Sequence, residues 1–371
     1  MKRFAVASTV YLLLSVFSFQ GQAQLQTLSG AEIKAADLDK FLKKQMDSLG
    51  LPGLSFALIN HGKVVYHRAI GISNTETKEK VDAKSIFEAA SLSKTLFAYF
   101  VLKQVDQHKL NLDTPLYRYL PYQDIAKDER NKLITARMVL AHTSGFPNWR
   151  YSDKRDENLY KYGELYLKFT PGTAFSYSGE GYHYLSRVIA QLNNLTIQTL
   201  EPVFQKEVSK PLHLQKAWFS ADKYITAHKV KGHKQGKPYD KAWPTSFPEQ
   251  DSTWFEAAGG LHTEALSFSR FLIALMEGQG LSKEMNEEMF KEQVQLGKDS
   301  PHYLYNGDTA WGLGIAVKPV SYGVLYEHGG NNGDFQSGFK INKANHNGYV
   351  FFTNCDQGTE FNKKLGALLV K

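Results

Sequence analysis

A serine and a lysine three residues apart are the side chains in this sequence best suited to covalent chemistry. Ser91 and Lys94 stand at the start of an apolar pattern of helical spacing that begins at Leu92, and residues three apart share one face of a helix. A serine becomes a nucleophile when a neighbouring group takes its proton, and a partly buried lysine has a lowered pKa that suits this task. Backbone N–H groups at the helix start would favour an anionic intermediate. The same pattern also fits an N-cap serine beside a solvated lysine.

A tyrosine in a glycine-rich loop is the second candidate. Tyr177 lies in residues 171–182, just before a helix predicted over residues 184–192. A phenol relays a proton when a nearby cation lowers its pKa. The alternative is a core tyrosine whose hydroxyl is hydrogen-bonded inside the protein.

The third candidate is a glycine-rich strand end at residues 326–333, which reads Tyr-Glu-His-Gly-Gly-Asn-Asn-Gly. Its glycines allow the backbone to approach a ligand closely. Backbone N–H groups around Gly330 and Asn331 would complete an oxyanion hole with the N–H of Ser91. His328 would bind a carboxylate or tune the tyrosine, although a lone histidine is also common as a structural residue.

Hydrophobic periodicity predicts the elements that position these segments. A Ser-x-x-Glu capping box at Ser29 predicts a helix that starts there and ends near residue 50. Two apolar runs, residues 54–59 and 64–72, flank a turn with glycine and predict a β-hairpin. Residues 85–212 are mainly helical in pattern. The other predicted elements are a helix over 265–276, strands over 313–317, 323–327, 335–341 and 348–353, and a last helix over 359–370.

Strands at both ends of the chain with helices between them indicate the α+β class. We expect an antiparallel sheet built from both chain termini and flanked by helices, plus a helical lobe. The sheet lobe would comprise about residues 24–87 and 257–371, and the helical lobe about residues 88–256. A cleft between the lobes is a common place for a ligand site.

Composition limits the classes of function. The chain has 371 residues, of which 42% are hydrophobic and 22% charged, with a formal net charge of +7. Residues 1–23 have a basic start, an apolar run and a small-residue cleavage site, which together predict a signal peptide. Without Lys2 and Arg3 the net charge is +5. We therefore expect an exported protein, periplasmic or secreted, without a stable membrane anchor.

The distribution of charge and the cysteine count make nucleic acid, a disulfide and a cysteine-bound metal unexpected. Lysines and arginines are scattered among acids, so nucleic acid is not an expected partner. The single Cys355 rules out an intrachain disulfide and a cysteine-based metal cluster. We expect neither a metal nor another cofactor, and a small-molecule or peptide substrate. The oligomeric state stays open.

In their order and spacing, the three segments resemble the serine β-lactamase and penicillin-binding-protein superfamily. The resemblance is to its class C-like branch, which contains esterases, DD-peptidases and D-amino-acid amidases, and it covers roughly residues 38–370. It implies a β-lactamase-like fold for residues 24–371. Further similar segments are 134–145, which ends in His-Thr-Ser-Gly, and 169–173, 258–261 and 311–314.

The resemblance also implies a role for each site residue. Ser91 would be the acylated nucleophile and Lys94 the group that activates it. Tyr177 would act as a base in acylation and help to activate water in deacylation, and the main base of the pair stays open. His328 takes the place of a lysine in true class C β-lactamases. Backbone N–H groups of Ser91 and Asn331 would form the oxyanion hole.

Two departures from the family pattern bear on the substrate. Gly179 stands where the tyrosine motif usually ends in an asparagine that holds an acylamino carbonyl, and His328 replaces the lysine. Both changes weaken a β-lactamase interpretation, because histidine is neutral near pH 7 unless its pKa is shifted. The sequence favours a serine hydrolase of small esters or of D-amino-acid amides and peptides. The alternatives are β-lactam hydrolysis and a non-catalytic relic that binds cell-wall peptide.

Overall fold

The computed structural model describes residues 24–153, 158–239, 247 and 250–371. A nine-stranded antiparallel sheet dominates this part of the chain. The predicted signal peptide, residues 1–23, lies outside the described residues. Among the residues described, no helix has the length and apolar character needed to cross a membrane.

The strands of the described residues are mostly short outside the main sheet. They are β1 (Leu25–Gln26), β2 (Glu32–Ile33), β3 (Gly53–Asn60), β4 (Lys63–Asn74), β5 (Glu79–Lys80), β6 (Phe87–Glu88), β7 (Ala217–Trp218), β8 (His233–Lys234), β9 (Lys237–Pro238), β10 (His262–Thr263), β11 (Val294–Gln295), β12 (Ala310–Trp311), β13 (Ala316–Val320), β14 (Gly323–Asn331), β15 (Gln336–Asn342) and β16 (Asn347–Thr353).

The helices of the described residues fall mainly between the two groups of long strands. They are α1 (Ala35–Leu49), α2 (Leu92–Asp106), α3 (Ala136–Leu140), α4 (Gly179–Leu192), α5 (Glu201–Phe204), α6 (Lys223–His228), α7 (Ala265–Glu277), α8 (Lys283–Phe290) and α9 (Gly358–Leu369), with 3₁₀ turns at Leu116–Arg118, Gln123–Ile125 and Glu129–Leu133 and π-helical turns at Gln205–Ser209 and His302–Asn306.

The main sheet joins the two ends of the chain. Its strand order is β11-β12-β13-β14-β15-β16-β3-β4-β5, so that β16 near the C-terminus pairs directly with β3 near the N-terminus. Every residue of β3 is buried, because helices cover both faces of the sheet. This arrangement confirms the predicted α+β class and the antiparallel sheet built from both chain termini.

Alternation along β3 divides its side chains between two cores. Leu54, Phe56 and Leu58 pack on the face covered by α1 and α9, whereas Ala57 and Ile59 face the core that contains α7. Successive side chains of a strand point to opposite faces, which produces this division. The second core continues around α2 into the helical part of the chain.

Helix α2 is buried on nearly all sides between the main sheet and the neighbouring helices. A helix in that position must be apolar all round, which explains why the residues that follow Ser91 are so uniformly hydrophobic. Ser91 is its N-cap, as the sequence predicts. Lys94 therefore enters the protein interior on the first turn of a core helix.

Four predicted boundaries differ from the structure by three residues or more, and one of them is the end of β14, which lies at Asn331 rather than at residue 327. The helix expected from Ser29 begins instead at Ala35, because the backbone before it turns and pairs β1 with β2. The strand expected over residues 313–317 is displaced to Ala316–Val320, since a turn closes between the N–H of Gly312 and the carbonyl of Ile315 at 2.8 Å. Helix α4 begins at Gly179 rather than near residue 184. The hairpin β3–β4 is confirmed.

Candidate active site

The three segments selected from the sequence meet at one cavity of about 330 Å³. The start of α2 brings Ser91, the loop before α4 brings Tyr177, and the end of β14 brings His328, Gly330 and Asn331. The other residues that line the cavity are Asn148, His302, Asn306, Asp308, Trp311, Ala316, Glu327, Gly329, Ser337, Thr359 and Asn362.

Ser91 sits at the end of a tightly held backbone segment. The preceding residue, Ala90, has a φ of +47°, a left-handed conformation that is unfavourable for a residue with a side chain. The segment is held on both sides of this position. The N–H of Ala89 donates to the carbonyl of Leu261 at 2.8 Å, and the Ser93 hydroxyl donates to the carbonyl of Ala90 at 2.5 Å. The strained turn presents the Ser91 hydroxyl to the cavity.

Lys94 is placed to exchange a proton with Ser91. Its Nζ lies 3.3 Å from Ser91 Oγ and donates to the carbonyl of Ala258 at 2.7 Å. The side chain is only 1% exposed. Burial lowers the pKa of Lys94 to about 7, and the nearby Glu256 carboxylate partly opposes this effect. A substantial fraction of Lys94 is therefore neutral at physiological pH and able to accept the serine proton.

Tyr177 faces the same lysine with its ring. Lys94 Nζ lies 4.8 Å from the centre of that ring. The phenol oxygen is buried and forms no well-aligned hydrogen bond with any residue that the structure describes. Burial raises the pKa of Tyr177, and the neighbouring Ser91 hydroxyl opposes the rise only in part. The sequence argument for a proton relay required a cation to lower this pKa, whereas burial raises the pKa of Tyr177 here. Tyr177 is a proton donor at neutral pH.

His142 holds the backbone on both sides of Tyr177. Its carbonyl accepts the N–H of Ser176 at 2.8 Å, and its Nδ1 accepts the N–H of Ser178 at 3.0 Å. The two rings pack with centroids 4.3 Å apart. The Ser178 bond requires an unprotonated Nδ1, and burial lowers the pKa of His142 well below its ordinary value. A neutral imidazole therefore fixes the tyrosine in place.

His328 is also neutral. Burial lowers its pKa to about 3, and Lys94 adds to this effect. Its Nδ1 lies 2.7 Å from the carbonyl of Gly329, which places the ring proton on Nδ1 and leaves Nε2 as an acceptor. Nε2 is buried and has no partner among the residues described. Of the two roles that the sequence suggests, carboxylate binding does not fit, because a neutral ring offers no positive charge.

Strand β14 passes very close to the segment before Ser91 at Gly330. A Cβ on Gly330 would lie 2.3 Å from the Ser337 hydroxyl and 2.6 Å from the carbonyl of Ala89. The same Ser337 hydroxyl donates to the Ala89 carbonyl at 2.6 Å. Only glycine permits this approach, which brings the end of β14, including Asn331, beside Ser91.

Gly179 stands where the family pattern usually has an asparagine, and the structure gives a steric reason for the glycine. A Cβ at this position would lie 2.2 Å from the indole ring of Trp149. The N–H of Gly179 donates to the side-chain oxygen of Asn148 at 3.0 Å. Trp149 thus fills the volume that a side chain at residue 179 would need, and Asn148 reaches the cavity from a different part of the chain.

Sequence reasoning missed a second wall of the cavity. Trp311 lies with its ring 5.9 Å from that of Tyr177 and 5.4 Å from that of His328. The ring of His302 lies 5.6 Å from that of Tyr177, and Asp308 lines the same wall. Trp311 begins one of the segments that resembles the superfamily, but no local pattern singles out His302 or Asp308.

Comparison with known proteins extends these observations. The family model described as Beta-lactamase matches residues 38–370. Protein flp of Staphylococcus aureus (strain NCTC 8325 / PS 47) is 26% identical over 225 residues, which cover 56% of this chain and 44% of that protein. Esterase EstB of Burkholderia gladioli is 28% identical over 205 residues, which cover 50% of this chain and 51% of that protein. The chain thus spans about half the length of the curated relatives it matches.

Solved structures share the fold. The octameric penicillin-binding protein homologue from Pyrococcus abyssi superimposes with a TM-score of 0.74 at 21% identity, over 91% of this chain and 78% of that chain. The crystal structure of SurE gives a TM-score of 0.68 at 21% identity, over 90% of this chain and 75% of that chain. Since the family model covers nearly all of the described chain, the resemblance seen in the sequence is confirmed, and the chain belongs to the Beta-lactamase family.

Proposed function

We propose that this protein is a serine hydrolase that forms an acyl-enzyme at Ser91 and hydrolyses small esters or D-amino-acid amides and peptides. One observation carries the proposal. Lys94 Nζ lies 3.3 Å from Ser91 Oγ, and burial lowers the pKa of that lysine to about 7. A serine with a neutral amine at this distance has the base that an acyl transfer needs.

In the proposed acylation step, Ser91, Lys94 and Tyr177 pass protons in sequence. Neutral Lys94 takes the proton of Ser91 Oγ as the oxygen attacks the substrate carbonyl carbon. Backbone N–H groups at Ser91 and at the end of β14 stabilise the resulting oxyanion. Tyr177 donates its proton to the leaving oxygen or nitrogen, and protonated Lys94 returns a proton to the phenolate. Water then releases the acyl group by the same steps in reverse order.

The alternatives have less support. A β-lactam carries a carboxylate, whereas the described residues that line the cavity include no lysine or arginine, and the low pKa of His328 keeps this residue neutral. A relic that only binds peptide would need neither the buried Lys94 nor the strained turn before Ser91. The similarity to Esterase EstB agrees with ester hydrolysis.

We also propose that the protein is exported. The basic start, the apolar run and the small-residue site of residues 1–23 support a signal peptide. The enzyme would then meet its substrate in the periplasm or outside the cell. N-terminal sequencing of the protein recovered from the extracytoplasmic fraction tests this directly, and an intact Met1 would contradict it.

Covalent labelling tests the catalytic assignment. An activated ester or phosphonate should add one acyl or phosphonyl group to the wild type, and peptide mapping should place the group on Ser91. Ser91→Ala should stay unlabelled, whereas the control Ser48→Ala, which changes an exposed serine, should label normally. An adduct elsewhere, or full turnover by Ser91→Ala, refutes the assignment. A folded wild type that takes no label favours the binding relic.

A substrate panel then separates the activities. It should contain short and long acyl esters, a chromogenic cephalosporin and peptides that end in D-Ala-D-Ala. Turnover of esters alone supports the esterase side of the proposal, and turnover of the peptides supports the peptidase side. Efficient cephalosporin hydrolysis would favour the β-lactamase alternative.

A further inference from the structure

The charge of the cavity is unusual for a site that would bind an anionic substrate. Its described lining residues include two carboxylates, Asp308 and Glu327, and no lysine or arginine. Glu327 is already neutralised, since its carboxylate accepts a hydrogen bond from the buried Lys340 ammonium group. Asp308 has no such ammonium partner, because its ion-pair partner within 4 Å among the described residues is the His302 ring.

Asp308 is buried without a full set of partners. The residue is 1% exposed. Its Oδ2 accepts the side-chain amide of Asn306 at 3.3 Å and lies 3.6 Å from Nδ1 of His302, too far for a hydrogen bond. Its Oδ1 is buried and has no hydrogen-bond partner among the residues described. An unpartnered oxygen of a buried acid is costly, so its retention beside the cavity points to a ligand that completes the site.

The surroundings of Asp308 define what that ligand would be. An acceptor oxygen beside aromatic rings suits an ammonium group, which donates three hydrogen bonds and is attracted to ring faces. The rings of Trp311 and His302 lie 4.9 Å apart and form the wall that Asp308 joins. A metal ion fits less well, because the described residues contain no group of three or more histidine, cysteine or acidic side chains arranged to hold one.

We propose that Asp308 binds the protonated amino group of the substrate, so that the enzyme acts on esters or amides that carry a free primary amine. The proposal rests on the hydrolase function proposed above and names its substrate class. The amine would lie on the wall formed by Trp311, whose ring is 5.9 Å from that of Tyr177. Recognition would thus take place next to the group that protonates the leaving atom.

Matched esters that carry a positive, a neutral or a negative group test the proposal. The first set contains p-nitrophenyl benzoates with an aminomethyl, ethyl or carboxymethyl group in the para position. The second set places the same three groups on the phenol of a phenyl acetate, so that an amine on either side of the scissile bond is tested. The measured quantity is kcat/KM at neutral pH for each ester.

The wild type should prefer the aminomethyl ester over the ethyl ester in one of the two sets. Asp308→Asn, which keeps the shape of the side chain, should reduce that preference by about ten- to a hundredfold, the range expected for a lost hydrogen bond to a charged group. The readout is the ratio of kcat/KM for the aminomethyl and ethyl esters, because a general effect of the substitution on activity changes both values alike and cancels in the ratio. The control Asp299→Asn removes one negative charge from an exposed position that precedes Asp308 in the sequence and should leave the preference intact.

Two results would overturn the proposal. One is a wild type that ranks the ethyl or carboxymethyl ester first in both sets, and the other is an Asp308→Asn variant that retains the full preference for the amine. If Asp308→Asn does not fold, as judged by thermal unfolding, the wild-type ranking alone decides. Turnover of the ethyl esters shows that the hydrolase function stands, so failure of the amine preference then counts against the role of Asp308 alone. A wild type that cleaves none of the six esters contradicts the amine proposal, and it contradicts the hydrolase function as well when the substrate panel, with its D-Ala-D-Ala peptides, also gives no turnover.

Discussion

The protonation of Lys94 should appear in the pH dependence of the acylation rate. Burial lowers the pKa of this lysine to about 7, from the ordinary value of 10.5. Because the base that we propose is the neutral amine, kcat/KM for an activated ester should rise about tenfold per pH unit below about pH 7 and level off above it. Stopped-flow kinetics on a p-nitrophenyl ester, corrected for spontaneous hydrolysis, measure this profile.

The same lysine should make folding depend on pH. The two pKa values differ by about 3.5, which corresponds to about 5 kcal/mol for burying the charged form. Below about pH 7 both the folded and the unfolded protein carry the proton, so the full destabilisation is present. Between about pH 7 and 10.5 the unfolded chain holds a proton that the folded protein lacks, and this contribution makes the free energy of unfolding rise with pH.

Lys94→Met isolates this contribution. Methionine keeps an unbranched side chain and carries no charge, so the variant should lose turnover yet be more stable than the wild type by several kcal/mol at about pH 6. The advantage should shrink by about 2–3 kcal/mol between about pH 6 and pH 9, because the wild type sheds its buried charge over that interval. Denaturant midpoints of the two proteins across this range measure the difference. Titrating groups far from Lys94 cancel, whereas Glu256, whose pKa Lys94 lowers, adds a pH dependence of its own.

Glu256 provides an independent check on the origin of the Lys94 pKa shift. Its carboxylate raises the pKa of Lys94 against the effect of burial, so Glu256→Gln should move the midpoint of the rate profile to lower pH. A profile that is flat between about pH 6 and pH 8 would show that Lys94 does not titrate there. A stability advantage of Lys94→Met that is constant with pH would refute the reasoning from burial. Either result would return the role of base to Tyr177.

Three further substitutions test the geometry around the nucleophile. His142→Asn keeps an acceptor for the Ser178 N–H and should preserve most of kcat, whereas His142→Leu should lower kcat about tenfold or more with little change in KM; equal rates for the two variants would contradict the positioning role. Gly179→Ala places a Cβ 2.2 Å from the Trp149 ring and should lower stability by about 1–3 kcal/mol. Thermal unfolding should show partial recovery in the double variant with Trp149→Ala, and strict additivity would speak against the clash. Gly330→Ala should lower kcat/KM for short and long acyl esters alike, because it moves β14 away from the nucleophile, and an effect on one chain length only would contradict this.

Local sequence patterns predicted features that short-range contacts determine, such as the hairpin and the proximity of Ser91 and Lys94. The β3–β4 hairpin follows from two apolar runs around a glycine turn. Ser91 and Lys94 are one helical turn apart, so their proximity follows once a helix is predicted there. The capping box at Ser29 failed because strand pairing between Leu25–Gln26 and Glu32–Ile33 competes with helix formation, and no local pattern reveals that pairing.

The groups around the catalytic residues depend on long-range contacts. His142 binds the backbone of Ser178 from 36 residues away, and Trp149 fills the space beside Gly179 from a separate loop. The direction of the Tyr177 pKa likewise follows from the depth at which the phenol is buried. None of these relations has a periodic signature in the sequence, so only the folded arrangement reveals them.

Two features in and near the active site bear on which amines the enzyme would accept in its substrate. At Gly179 the family pattern usually supplies an asparagine amide for an acylamino carbonyl, but Trp149 occupies that volume here. In the wall of the cavity, Asp308 has a carboxylate oxygen with no hydrogen-bond partner among the described residues. An acylated amine would lose a hydrogen bond at the first position and would bring no charge to the second. A free ammonium group needs no amide at residue 179 and would satisfy Asp308, so both features agree with the proposed preference for an unacylated amine.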